Sequence, residues 1–201
     1  MNNYYVPTVI EQNGKSERAY DLYSRLLKDR IIFVPGINEE TANSIIGQLL
    51  FLVAESSSSE SSEITMYINS PGGSILDGDG ILDTMDFVKQ QGIDIKTVVV
   101  GKACSFGSLI LLNGTKGKRF VLPRSRVMIH QPLGGAKGQA SDIIREAELI
   151  TKMKNEINQF ISEKTGQELD VIEKATDRDS WYRGQEAVDF GLADEVMTNN
   201  N

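Results

Sequence analysis

Short apolar runs alternate with segments of helical periodicity through the middle of this chain, and no other feature restricts its fold as much. Residues 64–69 (ITMYIN) read as a strand, 75–91 as a helix despite two glycines, and 93–100 (IDIKTVVV) as a second strand. The run SLILLNG is helical, with Gly114 placed to end it. RFVLP (119–123) and RVMIH (126–130) are two more short strands. Parallel neighbours need a crossover, and a helix between strands supplies it. The repetition therefore predicts βαβ units and a mainly parallel sheet.

Upstream, IIFVPG (31–36) reads as a short buried strand ended by Pro-Gly. Asn38 is placed to cap a following helix, with Glu39 and Glu40 favourable in its first turn. In that helix Ala42, Ile45, Ile46, Leu49 and Val53 recur at helical spacing. Residues 19–28 put Tyr20, Tyr23, Leu26 and Leu27 on one helical face. Residues 1–18 are polar without a period and are expected to form a flexible arm. ESSSSESSE (55–63) reads as a surface loop, and 198–201 as a short tail.

The remaining 19–197 fits one domain, because 201 residues suffice for one sizeable core. Hydrophobic residues make up 40% of the chain and charged residues 24%, as in ordinary globular proteins. A net charge of −7 disfavours nucleic-acid phosphates and anionic membranes as partners. The single cysteine, Cys104, excludes an intrachain disulfide and fits a reducing compartment. No apolar run approaches the ~20 residues that span a bilayer, and the start lacks a basic region followed by an apolar one. The expected location is the cytoplasm, or an organelle interior if a transit peptide has been removed.

From about Ala140 to Lys164 the pattern becomes one long helix, with Ile143, Ala147, Ile150, Lys154, Ile157 and Ile161 on one face. At 1.5 Å per residue it would extend about 37 Å, which is long for a domain of this size. Its apolar stripe exceeds what one neighbouring sheet would cover, so self-association is expected.

Three segments carry candidate chemistry. His130, the only histidine, ends a hydrophobic strand, where parallel sheets deliver functional residues. Ser105 sits where a buried strand (TVVVG) turns into an apolar helix; the plainer reading is a helix N-cap. The small residues Ala103, Cys104 and Gly107 around it let another backbone approach. A serine nucleophile needs a base, and the base needs an orienting carboxylate. With one histidine present, the base must be His130, whereas Asp177 and Asp179 in DRDS are indistinguishable by periodicity. An oxyanion needs two backbone N–H donors. Phe106 follows the serine, and SPGG offers Gly72 and Gly73, although Gly-Gly after a strand is often only a turn. Cys104 is a rival nucleophile, disfavoured because a sole cysteine between an apolar strand and helix is more often a small buried residue.

Taken in order, these segments resemble the ClpP family, the peptidase component of the ATP-dependent Clp protease. The resemblance runs from PTVIEQNGKSERAYDLYSRLLKDRIIFV through YINSPGGS, GKACSFGS and RSRVMIHQPLGG to ATDRDSWYRGQEAVDFGLADEV. MIHQPLGG is its sharpest element. It implies a crotonase-like α/β fold of stacked βαβ units with a protruding handle helix at about 140–164. It also implies Ser105 as nucleophile, His130 as base and Asp179 as orienting acid, in the chain order Ser, His, Asp. Gly73 and Phe106 match the oxyanion amides. Ile75, Leu133 and Gly134 match segments that hold an extended peptide as an added strand. Arg178 matches an arginine that couples ring contact to triad alignment, and Tyr67 and Phe87 match the groove that docks unfoldase loops.

The implied assembly is two stacked seven-membered rings, of this chain alone or mixed with paralogous subunits, around a chamber where unfolded polypeptides are cut. No metal or cofactor is expected. ATP is used by a separate AAA+ unfoldase, which agrees with the lack of a Walker motif here. Five departures stand out. Phe106 replaces the usual methionine, Asp79 stands where an apolar residue is expected, Thr65 replaces a groove aromatic, the ESSSSESSE loop is longer than usual, and SWYRGQEA is unusual after Asp179. They suggest a divergent paralogue and leave two alternatives: a weakly active regulatory subunit of a mixed ring, or an acyl-CoA enzyme sharing the fold.

Overall fold

The computed structural model describes residues 6–14, 16–56 and 63–198. Most of the expected arm is instead an antiparallel hairpin of Thr8–Asn13 (β1) and Ser16–Asp21 (β2), in register from Thr8 opposite Asp21 to Asn13 opposite Ser16. Gly14 takes the positive φ of +63° that a two-residue hairpin turn requires. The hairpin is mostly solvated on both faces, so it leaves no hydrophobic alternation in the sequence. The helix expected over 19–28 accordingly starts later, at Leu22–Lys28 (α1), where the Asp21 carboxylate accepts a capping hydrogen bond from Ser24 N at 2.9 Å. The loop expected over 55–63 lies largely outside the described residues, as do most of the tail and the first five residues of the arm.

Ile31–Val34 (β3) leads into Glu39–Ala54 (α2), which Asn38 caps as expected, its bond to Thr41 N reciprocated by the Thr41 side chain. Ile64–Ser70 (β4), Ile75–Gln90 (α3), Ile95–Cys104 (β5) and Phe106–Leu112 (α4) follow. Gly114 does not end α4 by its backbone conformation, since Asn113 closes the helix. It is required by packing, because a Cβ there would lie 2.5 Å from Thr97 Oγ1. Arg119–Val121 (β6), Arg126–Ile129 (β7), Ala140–Thr165 (α5), Leu169–Thr176 (α6), Ser180–Arg183 (β8), Gln185–Asp189 (α7) and Glu195–Val196 (β9) complete the chain.

The main sheet runs β3-β4-β5-β6-β9, with every adjacent pair parallel. Its helices lie between successive strands, giving the stacked βαβ units of the ClpP/crotonase-like α/β fold. The ten-residue β5 is shared by two partners. Thr97–Val99 pair with β6, and Lys102–Cys104 pair with β7. The break lies at Gly101 (φ +87°), whose N–H is taken by Ser125 Oγ, which itself donates to Val99 O. The upstream half of β5 thus stays in the core sheet, while the downstream half carries the chain toward Ser105 beside β7 and β8.

All seven residues of α4 are buried, and Phe106, Leu109, Ile110, Leu111 and Leu112 share one core with Ile45, Met66, Ile68, Met85 and Val99. Burial of each of its leucines contributes about 2 kcal/mol before chain entropy is subtracted. A buried charge pair closes the far side. Arg119, 1% exposed, donates through Nε to Asp194 Oδ2 at 2.9 Å and through Nη1 to the carbonyl of Lys164 at 3.0 Å. Helix α5 has 26 residues, about 39 Å at 1.5 Å each. Its last half enters the core at Ile161, whereas its first half is almost wholly exposed. Among the described residues no helix is long and apolar enough to cross a membrane.

Candidate active site

Three adjacent strand ends bring Ser105, His130 and Asp179 together. Cys104 pairs with Met128 in the parallel β5–β7 ladder, and Ser105 N continues it by donating to Met128 O at 2.9 Å. The antiparallel β7–β8 ladder ends with Ile129 opposite Ser180. Continued by one residue, that register sets His130 opposite Asp179. Gln131 holds the extension: its N–H donates to Thr176 O and its Nε2 to Asp177 O. This pairing distinguishes the two aspartates of DRDS. The Asp179 carboxylate faces the ring, and the Asp177 carbonyl is a tether.

Ser105 Oγ lies 2.9 Å from His130 Nε2, and His130 Nδ1 lies 3.0 Å from Asp179 Oδ1. One imidazole tautomer satisfies both contacts, with Nδ1–H donating to the carboxylate and Nε2 accepting from the serine hydroxyl. Ser105 is the residue before α4, but its side chain makes no capping bond, so the plain N-cap reading does not hold. Its backbone has φ 52° and ψ −126°, a conformation that costs a non-glycine residue about 1–3 kcal/mol. That bend points the hydroxyl away from the helix and toward the histidine. Cys104 is 4% exposed, and burial pushes its thiol pKa up, with Lys102 opposing and Asp179 adding to the shift. A neutral buried thiol is a poor nucleophile.

The SPGG segment forms the facing wall. Ser70 pairs with Ala103 across β4–β5, and its hydroxyl accepts from Gly72 N. Gly72 (φ +92°) presses so closely on the serine that a Cβ would lie 2.6 Å from Ser105 Cβ and 3.1 Å from Phe106 N. Gly73 (φ +154°) abuts Ile37, whose carbonyl a Cβ would meet at 1.9 Å. Neither position tolerates a side chain, so this wall is bare backbone, with Gly72 against Ser105 and the Phe106 amide.

The other expected residues are spread around this centre. Ile75 is half-buried beside Ser105, in the same small cavity. Leu133 is 84% exposed on the segment after His130, and Gly134 there packs under Ile150 of α5. Arg178 is next to Asp179 in sequence, and its Nη1 donates to Asp177 O. Tyr67 stacks on Phe33, which Tyr23 meets edge-on; Phe33 and Tyr23 line a separate apolar concavity of about 460 Å³. Phe87 is exposed on α3, and among the described residues it forms no ring pair with Tyr67. Thr65 lies on β4 opposite Ile31. Among the described residues no group of acidic, histidine or cysteine side chains is arranged to hold a metal ion.

Two of the departures read from the sequence, Phe106 and Asp79, have structural consequences here. The Phe106 ring lies against Gly78 of α3, where a Cβ would come 2.2 Å from Cε1. Only the glycine, read from sequence as a helix defect, admits this ring. Asp79 follows at the mouth of a cavity of about 190 Å³ that also receives Glu156 from α5. Desolvation first, then Asp83 and Glu156, hold its carboxyl above the usual aspartate range.

A family model described as Clp protease matches residues 14–200. That span covers the sheet, the serine–histidine–aspartate cluster and the long helix. The chain therefore belongs to the Clp protease family.

Proposed function

We propose that this chain is a serine endopeptidase subunit of an ATP-dependent Clp-type protease. The observation that carries this reading is the unbroken chain of contacts from Ser105 Oγ through His130 to Asp179. His130 Nε2 takes the hydroxyl proton as Oγ attacks a peptide carbonyl, and Asp179 holds the ring and stabilises the imidazolium that forms. The amides of Phe106 and Gly73 receive the oxyanion. His130 then gives the proton to the leaving amine, and water, activated by the same histidine, releases the acyl group. This chemistry calls for no cofactor. The exposed segment at Leu133 and Gly134 suits an extended polypeptide paired as a strand, with Ile75 lining the cavity beside Ser105.

The assembly belongs to the same reading. The uncovered first half of α5 suits stacking of two seven-membered rings, with Arg178 relaying ring contact to its neighbour Asp179. An aromatic surface that includes Tyr67 and Phe87 would dock the AAA+ unfoldase, which hydrolyses the ATP and feeds unfolded chains to the chamber. The compartment is the cytoplasm or an organelle interior.

The test is covalent labelling of the assembled protein by a fluorophosphonate, with the adduct mapped by peptide mass spectrometry. Labelling is expected at Ser105 and lost in His130→Ala. Peptide hydrolysis should fall by about 10⁴-fold or more in Ser105→Ala and persist in Cys104→Ala. Undiminished turnover by Ser105→Ala would refute the assignment.

A further inference from the structure

The space beside Ser105 continues past the point where a small side chain would stop. The cavity touching Ser105 and His130 is a neck of only about 20 Å³, partly walled by the Phe106 ring. Beyond it lies the cavity of about 190 Å³ that holds Asp79 and Glu156. Ile75, Leu109 and Ile157 line both, so the two cavities adjoin along a shared aliphatic wall that leads from the nucleophile toward a pair of solvent-exposed carboxylates.

Each part of that path selects by its chemistry. The neck favours an unbranched stem over a broad ring or a β-branched side chain. Its walls reward methylenes. Its far end is suited to a cation, and lysine and arginine combine an aliphatic stem with a charged head. The charged neighbours that act on Asp79 are both acids, Asp83 and Glu156, so an arriving cation removes repulsion as well as adding attraction. Glu156 already faces Lys152 at 3.7 Å across solvent, which leaves Asp79 as the stronger anchor.

We propose that Asp79, assisted by Glu156, makes this subunit prefer lysine or arginine as the residue before the cut, the side chain running along Ile75, Leu109 and Ile157. This rests on the peptidase reading above, and it makes Asp79 a specificity determinant.

The test uses three peptidyl phosphonate aryl esters that differ only in carrying a lysine, a leucine or a glutamate side chain next to phosphorus. In each, the Ser105 Oγ–P bond forms, the P–O bond to the phenol breaks, and the proton passes to His130. Rates of Ser105 labelling are measured on the assembled full chain. The lysine probe is expected to react faster, and its advantage over leucine to shrink about tenfold in Asp79→Asn and less in Glu156→Gln. Asp79→Lys is expected to reverse the advantage toward a glutamate probe. Because each ratio is taken within one variant, a loss of folded protein does not alter it. A leucine preference that is the same with and without Asp79 overturns this inference alone. Absence of Ser105 labelling by every probe overturns the peptidase reading, and this inference with it.

Discussion

The ring of Phe106 fills the space where a side chain at position 78 would begin, so the two residues depend on each other. Phe106 is buried between α3 and the core and cannot swing aside. Gly78→Ala should therefore destabilise the fold by about 1–3 kcal/mol, the usual cost of overpacking. Phe106→Leu opens room for the added methyl. The double variant should be less destabilised than the sum of the single ones by about 1 kcal/mol or more. Urea unfolding of the four proteins measures this coupling; additive losses would show that the backbone moves instead.

At the scale of elements, the serine, histidine and aspartate depend on strand ends held in register, and β6, which pairs with the upstream half of β5, is anchored by Arg119. This buried guanidinium joins β6 to the residue before β9 and to the end of α5. Burial alone would raise the pKa of Asp194, but its hydrogen bonds from Arg119 and Gly117 outweigh that and lower it. A carboxyl whose folded pKa is depressed stabilises the fold fully above its unfolded value, about 3.9. That contribution disappears as pH falls through the lower folded value. Asp194→Asn should cost about 3 kcal/mol at neutral pH, because it leaves a buried cation without its counter-charge. The variant should also lose less stability than the parent between neutral pH and pH 3, as read from denaturation midpoints. An equal acid loss in both proteins would place the titration elsewhere.

Over the whole molecule, the long helix divides into two halves with different tasks. Its C-terminal half is fastened by Ile161 in the core, by the Arg119 bond to Lys164 O, and by Gly166 (φ +80°) capping the end. Its N-terminal half carries Ile143, Ile144 and Leu149 into solvent, Ile144 at 59% exposure. Exposed apolar side chains on a projecting helix favour burial against another copy. In the proposed two-ring assembly, replacing Ile144 and Leu149 together with Glu should reduce the assembled species by roughly half in mass, as seen by sedimentation velocity. An unchanged sedimentation profile would assign ring stacking to another surface.

Local patterns were enough to read most of the elements. The apolar runs of β3 to β7, the Asn38 cap and the stripe of α5 each lie within a few residues of one another in sequence, so their periodicity is visible there. The serine and histidine were also legible, one at a strand-to-helix bend and the other the sole imidazole. The hairpin was not, because strands solvated on both faces show no alternation. Residue periodicity could not separate Asp179 from Asp177 either. The antiparallel register of β7 with β8 decides that, and register joins segments about fifty residues apart. The Phe106–Gly78 contact, the Arg119–Asp194 pair and the path from Ser105 to Asp79 have the same origin. Each joins residues that are distant or unremarkable in the chain and that meet only when strands and helices pack.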